Sequence, residues 1–355
     1  MGVLKFALLG CGRISKKHAE ALSALEGARL VAVCDINKEK AKKLGEKLAV
    51  PYYFDYDQML SNEAVDVVNI LTPSGMHAEH TIAIASKYKK HIVCEKPMAL
   101  TLTDADRMIE ACEKSKVKLF VVKQNRYNLP VMKLREAIEQ NRFGKLVLGT
   151  VRVRWARDQK YYDQDAWRGT WALDGGVFTN QASHHIDLLE WMMGDPVEVS
   201  AMTATRLVNI EVEDTGIATI KFANGALGII EATTATRPKD LEGSISILGE
   251  KGSVEIGGFA VNEVKVWQFV DHRPEDQEVM GKFKENPPNV YGFGHIRYLQ
   301  HVIDCLNNNK KAMVDGMEGR KSLELIIALY ESAETGKTIK VNNPIKKCKL
   351  GSKNG

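Results

Sequence analysis

Leu4-Lys5-Phe6-Ala7-Leu8-Leu9-Gly10-Cys11-Gly12-Arg13-Ile14-Ser15 passes from an apolar run through a Gly-x-Gly-x-x-Ser turn into a helix-like segment, Lys16–Leu25. An apolar run closed by a glycine turn reads as a buried strand, and the amphipathic period after it as a helix. Gly10 lets the chain turn sharply and Gly12 lets its backbone approach a pyrophosphate. Position 15 must be small for the helix to pack on the strand, a need Ser15 meets less well than glycine. The N–H groups opening the helix then face the phosphates. Alone the turn is weak evidence, because glycine turns are common.

The surrounding rhythm strengthens it. Leu30–Cys34, Val65–Leu71, His91–Cys94 and Leu119–Val122 repeat the apolar run, with helix-like Lys38–Leu48, Ala78–Lys87 and Asp104–Lys114 interleaved. That alternation predicts an α/β fold that opens with a Rossmann domain, a doubly wound parallel sheet over residues 1–124. Near Arg126-Tyr127-Asn128-Leu129-Pro130 the rhythm changes. A helix to about Gln140 leads to period-two strands at Leu146–Arg157, Val197–Thr205, Thr215–Phe222 and Leu227–Thr234, with further strands near Ser244–Leu248, Ser253–Ile256 and Val264–Phe269. Asn224-Gly225 favours a tight hairpin. Helices at Val177–Met193 and Ser322–Thr335 would cover one face. Residues 125–345 thus read as an α+β domain with a large mixed or antiparallel sheet. Residues 346–355, opened by Lys346-Lys347-Cys348-Lys349, read as a basic flexible tail.

Bulk composition excludes several classes. The 355 residues suit two domains, and 44% hydrophobic with 26% charged residues is ordinary for globular proteins. A net charge of +4 with dispersed Lys and Arg argues against nucleic-acid binding. The six cysteines lack paired or metal-ligand spacing, so a reducing compartment, the cytoplasm, is expected. No stretch suits a signal peptide or a bilayer span.

Three further stretches carry chemistry. Asp35 ends the second strand, where a carboxylate accepts from ribose hydroxyls and repels a 2′-phosphate, which favours NAD over NADP. Lys38 weighs the other way, and the competing role for Asp35 is to cap the next helix. Lys96, in Cys94-Glu95-Lys96-Pro97, follows a buried strand and precedes a stiffening proline, which suits a placed charge. In Asp174-Gly175-Gly176-Val177-Phe178-Thr179-Asn180-Gln181-Ala182-Ser183-His184-His185-Ile186-Asp187, helical spacing would put Asn180, His184 and Asp187 on one face. His185 would point about 100° away. The diverging histidines predict no metal site.

Together Gly10–Ser15, Thr72-Pro73-Ser74 with His77, Glu95-Lys96-Pro97 and Asn180–Asp187 resemble the Gfo/Idh/MocA family of oxidoreductases, up to about Thr335. Most members carry Asp where this chain has Asn180 and Gly where it has Ala182. That departure, with Val122-Lys123-Gln124-Asn125-Arg126, Trp167-Arg168-Gly169-Thr170-Trp171 and Asn289-Val290-Tyr291-Gly292-Phe293-Gly294-His295, resembles one branch of the family. This branch oxidises the C3 hydroxyl of UDP-N-acetyl-2-amino-2-deoxyglucuronate for bacterial surface polysaccharide. The resemblance implies Lys96 and His184 as the catalytic pair, with His184 as general base and Lys96 on the reacting oxygen; the reverse assignment stays open. It implies that Gly10, Gly12, Arg13, Ile14, Asp35, Ile36, Thr72, Ser74, His77, Glu95, Lys96, Gln124, Trp167 and Arg168 meet NAD. For the substrate it implies Lys96, Arg157, Tyr162, Asn180, His184 and Tyr291, with Arg168 a further candidate and Arg237 better read as a surface arginine. It further implies a homo-oligomer, a dimer or tetramer paired through the C-terminal sheet. Some such enzymes recycle bound NAD with 2-oxoglutarate. A dehydrogenase of an unactivated sugar or inositol, and a non-catalytic NAD sensor, are the competing readings.

Overall fold

In the computed structural model, which describes residues 2–283, 292, 294–341 and 348–352, the chain divides into two units. They are Met1–Lys123 with His295–Arg320, and Gln124–Gly294 with Lys321–Gly355.

The first unit alternates strands and helices: β1 (Leu4–Leu9), α1 (Ser15–Ser23), β2 (Ala28–Cys34), α2 (Lys38–Leu48), β3 (Tyr52–Tyr53), α3 (Tyr56–Asn62), β4 (Val67–Ile70), α4 (His77–Ala83), β5 (His91–Cys94), α5 (Leu102–Lys114) and β6 (Leu119–Val121). Its sheet is parallel throughout, in the order β3-β2-β1-β4-β5-β6. Strands buried on both faces need mainly apolar residues, and β1 and β4–β6 carry them apart from Lys5, Asn69 and His91. The two-residue β3 is too short to show a pattern. The order reverses between β1 and β4, the place where sheets of this kind bind ligands at the carboxyl ends of their strands. The loops after β1, β4 and β5 reach that edge.

The chain later returns to this unit. Residues 295–320 were expected in the second domain, but they cover the first unit's sheet instead. Val121 N–H donates to the Val314 carbonyl at 3.2 Å, and Phe120 bridges Asp315, so the segment covers the open edge of β6. Lys118 Nζ donates to the carbonyls of Cys305 and Lys310.

The second unit comprises α6 (Leu129–Glu139), β7 (Leu146–Arg154), α7 (Gln159–Tyr162), α8 (Ser183–Met193), β8 (Pro196–Ala204), β9 (Thr215–Phe222), β10 (Leu227–Thr233), β11 (Glu242–Gly249), β12 (Gly252–Gly257), β13 (Glu263–Phe269), α9 (Pro274–Lys282), the end of a helix α11 (Gly316–Thr335) and β14 (Ile339–Lys340). A helix α10 (Gly294–Asn307) begins at its last residue before 295. The sheet order is β13-β12-β11-β7-β10-β9-β8-β14, antiparallel except for β7 with β10. Asn224-Gly225 turns the β9–β10 hairpin, with Gly225 at φ 86°. Helix α8 lies so close to β7 that a Cβ on Gly149 would sit 2.7–2.8 Å from Met193 and Leu189. β9 alternates buried and exposed residues, and the sheet's other face exposes Met202, Ile217, Leu227 and Ile229.

The expected flexible tail is docked over its described part. Leu350 is 2% exposed, and Gly351 N–H donates to the Trp171 carbonyl at 2.8 Å. Burial of the leucine side chain outweighs the pull of the neighbouring lysines toward solvent. Residues 346, 347 and 353–355 lie outside the described residues. No helix among the described residues is long and apolar enough to cross a membrane.

Candidate active site

In the first unit the turn after β1 is built to hold an anion. Gly10 has φ 107°, and a Cβ there would lie 2.6 Å from the Leu71 carbonyl oxygen at the end of β4, so only glycine fits. A Cβ on Gly12 would meet nothing within 4 Å, which leaves its outer side open to a ligand. Ser15 is fully buried and donates to the Gly12 carbonyl at 2.6 Å. Ile14, at the N-cap of α1, supplies no side-chain cap, so the helix's first N–H groups stay available to a phosphate. Arg13 beside it is exposed.

Asp35 holds this turn to β2. Its carboxylate accepts from Cys11 N–H at 2.7 Å and Asn37 N–H at 2.8 Å. A carboxylate has further acceptor sites, so ribose hydroxyls can still be received. Asn37, and not Asp35, caps α2, accepting from Lys40 N–H. Ile36 is 85% exposed next to it. These features fit NAD.

His77 ties the two adjacent loops together: one ring nitrogen meets the Thr72 carbonyl and the other the Pro97 carbonyl, each at 2.8 Å. Burial pushes its pKa down despite those two bonds. The Thr72 hydroxyl meets His80, and Ser74 opens a short 3₁₀ turn. Glu95 is buried with one oxygen 2.9 Å from His18 Nε2 and the other accepting from Lys96 N–H at 3.0 Å. Burial would raise its pKa, but the His18 hydrogen bond, with His295 and Lys96, holds it down to about 2. Lys96 itself is half-buried directly after this carboxylate. Among the described residues, His18, Glu95 and His295 are also the one trio with metal-ligand atoms in mutual reach, a cluster that sequence spacing did not reveal. Asn69 Nδ2 meets His18 Nδ1 at 2.8 Å, which completes a hydrogen-bonded chain, Asn69–His18–Glu95.

In the second unit the glycine-led segment departs from the expected single helix. Val177–Gln181 is a π-helical turn, closed by the bond from Ala182 N–H to the Val177 carbonyl, and α8 begins only at Ser183. Asn180 therefore stands in the π-helical turn, before the helix that carries His184. The Asn180 amide donates to Asp174, and its Oδ1 accepts from Gln181 Nε2 at 2.7 Å. Asp174 also accepts from Gly169 N–H. Asp187 forms a buried bidentate pair with Arg126 at 2.8 Å, and Arg126 stacks over Trp191. This bond fastens α8 to the 3₁₀ turn Gln124–Tyr127. Gln124 is buried, and its Oε1 has no hydrogen-bond partner among the described residues. His184 is 7% exposed. His185 packs edge-on against Trp155, and burial pushes it down to about 4, so it is neutral.

A cationic and aromatic cluster adjoins Gln181. The Tyr161 hydroxyl accepts from Arg168 Nη1 at 3.0 Å and Gln181 Nε2 at 3.1 Å. Arg157 and Arg168 both lie over the Tyr161 ring, and Arg168 also lies over Trp167. Arg157 is anchored by Asp240 at 2.9 Å. Tyr162 is placed differently from expectation: it is buried with its hydroxyl on Thr234, and burial raises its pKa to about 12. Tyr161 holds the polar position instead. Arg237 donates to main-chain carbonyls, in keeping with a structural arginine. Tyr291 lies outside the described residues. Sequence reasoning missed Tyr161, Asp174 and Gln181 as contributors, although all three stand in or beside the stretches it quoted. Glu213 and Tyr330, which hold the turn from behind, gave no local signal.

Residues 4–123 match the NAD-binding Rossmann fold of the Gfo/Idh/MocA oxidoreductase family, and residues 135–341 match that family's C-terminal alpha/beta domain. The chain is similar to the WlbA dehydrogenase of Bordetella pertussis, solved with NADH and UDP-GlcNAcA. The two share 42% identity over 98% of this chain and 99% of the other, with a TM-score of 0.89. The WlbA dehydrogenase of Chromobacterium violaceum, solved with the same two ligands, is 43% identical over 97% of each chain, also at 0.89. The myo-inositol 2-dehydrogenase of Thermotoga maritima is 29% identical over 348 residues, 96% of this chain and all of the other.

Proposed function

The chain belongs to the Gfo/Idh/MocA family as an NAD-dependent sugar dehydrogenase, and from that premise we propose that it oxidises the C3 hydroxyl of UDP-N-acetyl-2-amino-2-deoxyglucuronate. The observation that carries this reading is the near-full-length likeness, at 42–43% identity, to two dehydrogenases solved with UDP-GlcNAcA. The Arg157–Tyr161–Arg168–Gln181 cluster supports it, since a uronate and a diphosphate call for guanidinium groups and hydroxyl or amide donors.

NAD, when bound, accepts the hydride. The chain supplies the proton chemistry and the alignment. His184 takes the hydroxyl proton, the role that the family resemblance implies for it. Lys96 hydrogen-bonds the reacting oxygen and stabilises charge as it develops. Gly10, Gly12, Arg13 and Ile14 receive the pyrophosphate, Asp35 and Ile36 meet the adenosine, and Thr72, Ser74, Gln124, Trp167 and Arg168 line the cofactor. His77 and Glu95 fix the loops that carry Thr72 and Lys96. Asn180 contacts a sugar hydroxyl, and Tyr161 takes the substrate role first expected of Tyr162. The exposed face bearing Met202, Ile217 and Leu227 pairs with a second copy of the chain.

Formation of reduced nicotinamide, measured with the UDP-linked uronate, free glucose and myo-inositol as substrates, tests the reading. Turnover confined to the UDP sugar is expected, and activity only on the free polyols overturns the assignment. Repeating the assay with 2-oxoglutarate tells whether the reduced cofactor is recycled in place.

A further inference from the structure

The turn Val177–Gln181 and the helix α8 have no side-chain caps of their own; their entry residues are Gly176 and Ala182. Two distant residues supply what local caps do not. The Glu213 carbonyl accepts from Val177 N–H, and Glu213 Oε1 accepts from Phe178 N–H, each at 3.0 Å. Tyr330, on α11, donates to the same Oε1 at 2.7 Å. Its oxygen in turn accepts from Gly176 N–H at 3.1 Å and the Thr179 hydroxyl at 2.9 Å. Both side chains are buried, Glu213 at 4% and Tyr330 at 1% exposure. The carboxyl rests on the Gly176 main chain: a Cβ there would lie 2.0 Å from Glu213 Oε2. Among the described residues that oxygen has no hydrogen-bond partner.

We propose that Glu213 is a positioning residue for the reaction: with Tyr330 it fixes the Gly176–Thr179 main chain and thereby sets Asn180 and His184, without touching substrate or cofactor. The proposal rests on the reading of His184 as the group that takes the proton. Glu213 can fill this role with the carboxyl in its neutral form. The groups that face it are the Tyr330 phenol and the Asp174 carboxylate, and burial followed by Asp174 raises it to about 7 despite the three hydrogen bonds. In the neutral acid Oε1 is a carbonyl oxygen that receives two donors, and a glutamine amide oxygen at the same place does the same. Alanine would leave Phe178 N–H and the Tyr330 hydroxyl without this acceptor in a buried site.

The test compares full-length Glu213→Ala, Glu213→Gln and Tyr330→Phe, each with NAD bound and each scaled to its folded fraction by NAD-binding stoichiometry. Glu213→Ala is expected to lower kcat roughly 10- to 100-fold with KM for NAD within about twofold, and Glu213→Gln to stay within about threefold of the unmodified chain. Tyr330→Phe should fall between them. The His184 imidazole titration, followed by NMR without substrate, should move in Glu213→Ala and not in Glu213→Gln. Wild-type kcat and an unmoved His184 titration in Glu213→Ala would overturn the proposal, as would a Glu213→Gln variant as impaired as Glu213→Ala. Should the alanine variant not fold, the glutamine and phenylalanine variants decide: loss in the former or none in the latter sinks the idea. Failure of the unmodified chain to oxidise the UDP sugar removes only the substrate assignment, because the His184 titration is read without it.

Discussion

Two glycine-led segments, Gly10–Ser15 and Gly175–Gln181, do comparable work in the two units, and they are held by opposite means. The first is fastened by near neighbours. Ser15 bonds Gly12 three residues away, and Cys11 bonds Asp35 twenty-four residues on. The second is fastened by Glu213, thirty-five residues from Phe178, and by Tyr330, 154 residues from Gly176. A locally held turn does one generic job wherever it occurs. A turn held from far away takes its shape from buried partners, and substitution behind it can retune it without altering any residue it presents.

The largest expected effect falls on the chemistry. Lys96→Ala and His184→Ala should each cut turnover by roughly three orders of magnitude while NAD affinity changes less than about threefold. A His184→Ala enzyme with normal turnover would remove the second turn from the chemistry and break the comparison.

Next in size is the pair that anchors α8. Arg126→Ala takes the bidentate partner from the buried Asp187 carboxylate, which should cost about 3–5 kcal/mol in a denaturant titration. A loss near zero would mean that α8 is held by packing alone.

Glu213 gives the third effect, with a defined sign. Its folded pKa is raised from 4.5 to about 7 by burial. Its contribution to stability is therefore complete below about pH 4.5 and is lost as pH rises through about 7. The loss should be at most about 3.5 kcal/mol, since each pKa unit is worth about 1.4 kcal/mol. Glu213→Gln should flatten that part of the stability–pH curve. An unchanged curve would place the titration elsewhere.

The smallest effect is expected at the first turn. Asp35→Ser removes the carboxylate that would repel a 2′-phosphate, and should narrow the preference for NAD over NADP by about tenfold. An unchanged preference would mean that Asp35 serves only to hold Cys11 and Asn37.

What could be read from the sequence follows the same division. Parallel strands buried on both faces must be mainly apolar, so β1, β4, β5 and β6 stand out as runs, and the loop between β1 and α1 carries its own glycines. The period-two strands of the second sheet were equally plain, because one face is covered and the other open. Its order could not be read, since β7 pairs with β10 and β11 across long intervals. The π-helical turn was hidden because Val177–Met193 has apolar residues enough for one helix, and Glu213 and Tyr330, which bond residues 176–179, lie far off in the chain. Tyr161 and Tyr162 are adjacent and chemically alike; only packing against Thr234 tells which hydroxyl is spent.

The return of residues 295–320 to the first unit also orders events during synthesis. The open edge of β6 and the face around Gly27 meet their partners, Val314 and Ile303, only after those residues leave the ribosome. That is about 200 residues after Lys123, or roughly 10–40 s at common elongation rates. Until then the nascent Rossmann sheet presents an unpaired strand edge, so the emerging chain should engage chaperones through this unit, although it is the one made first.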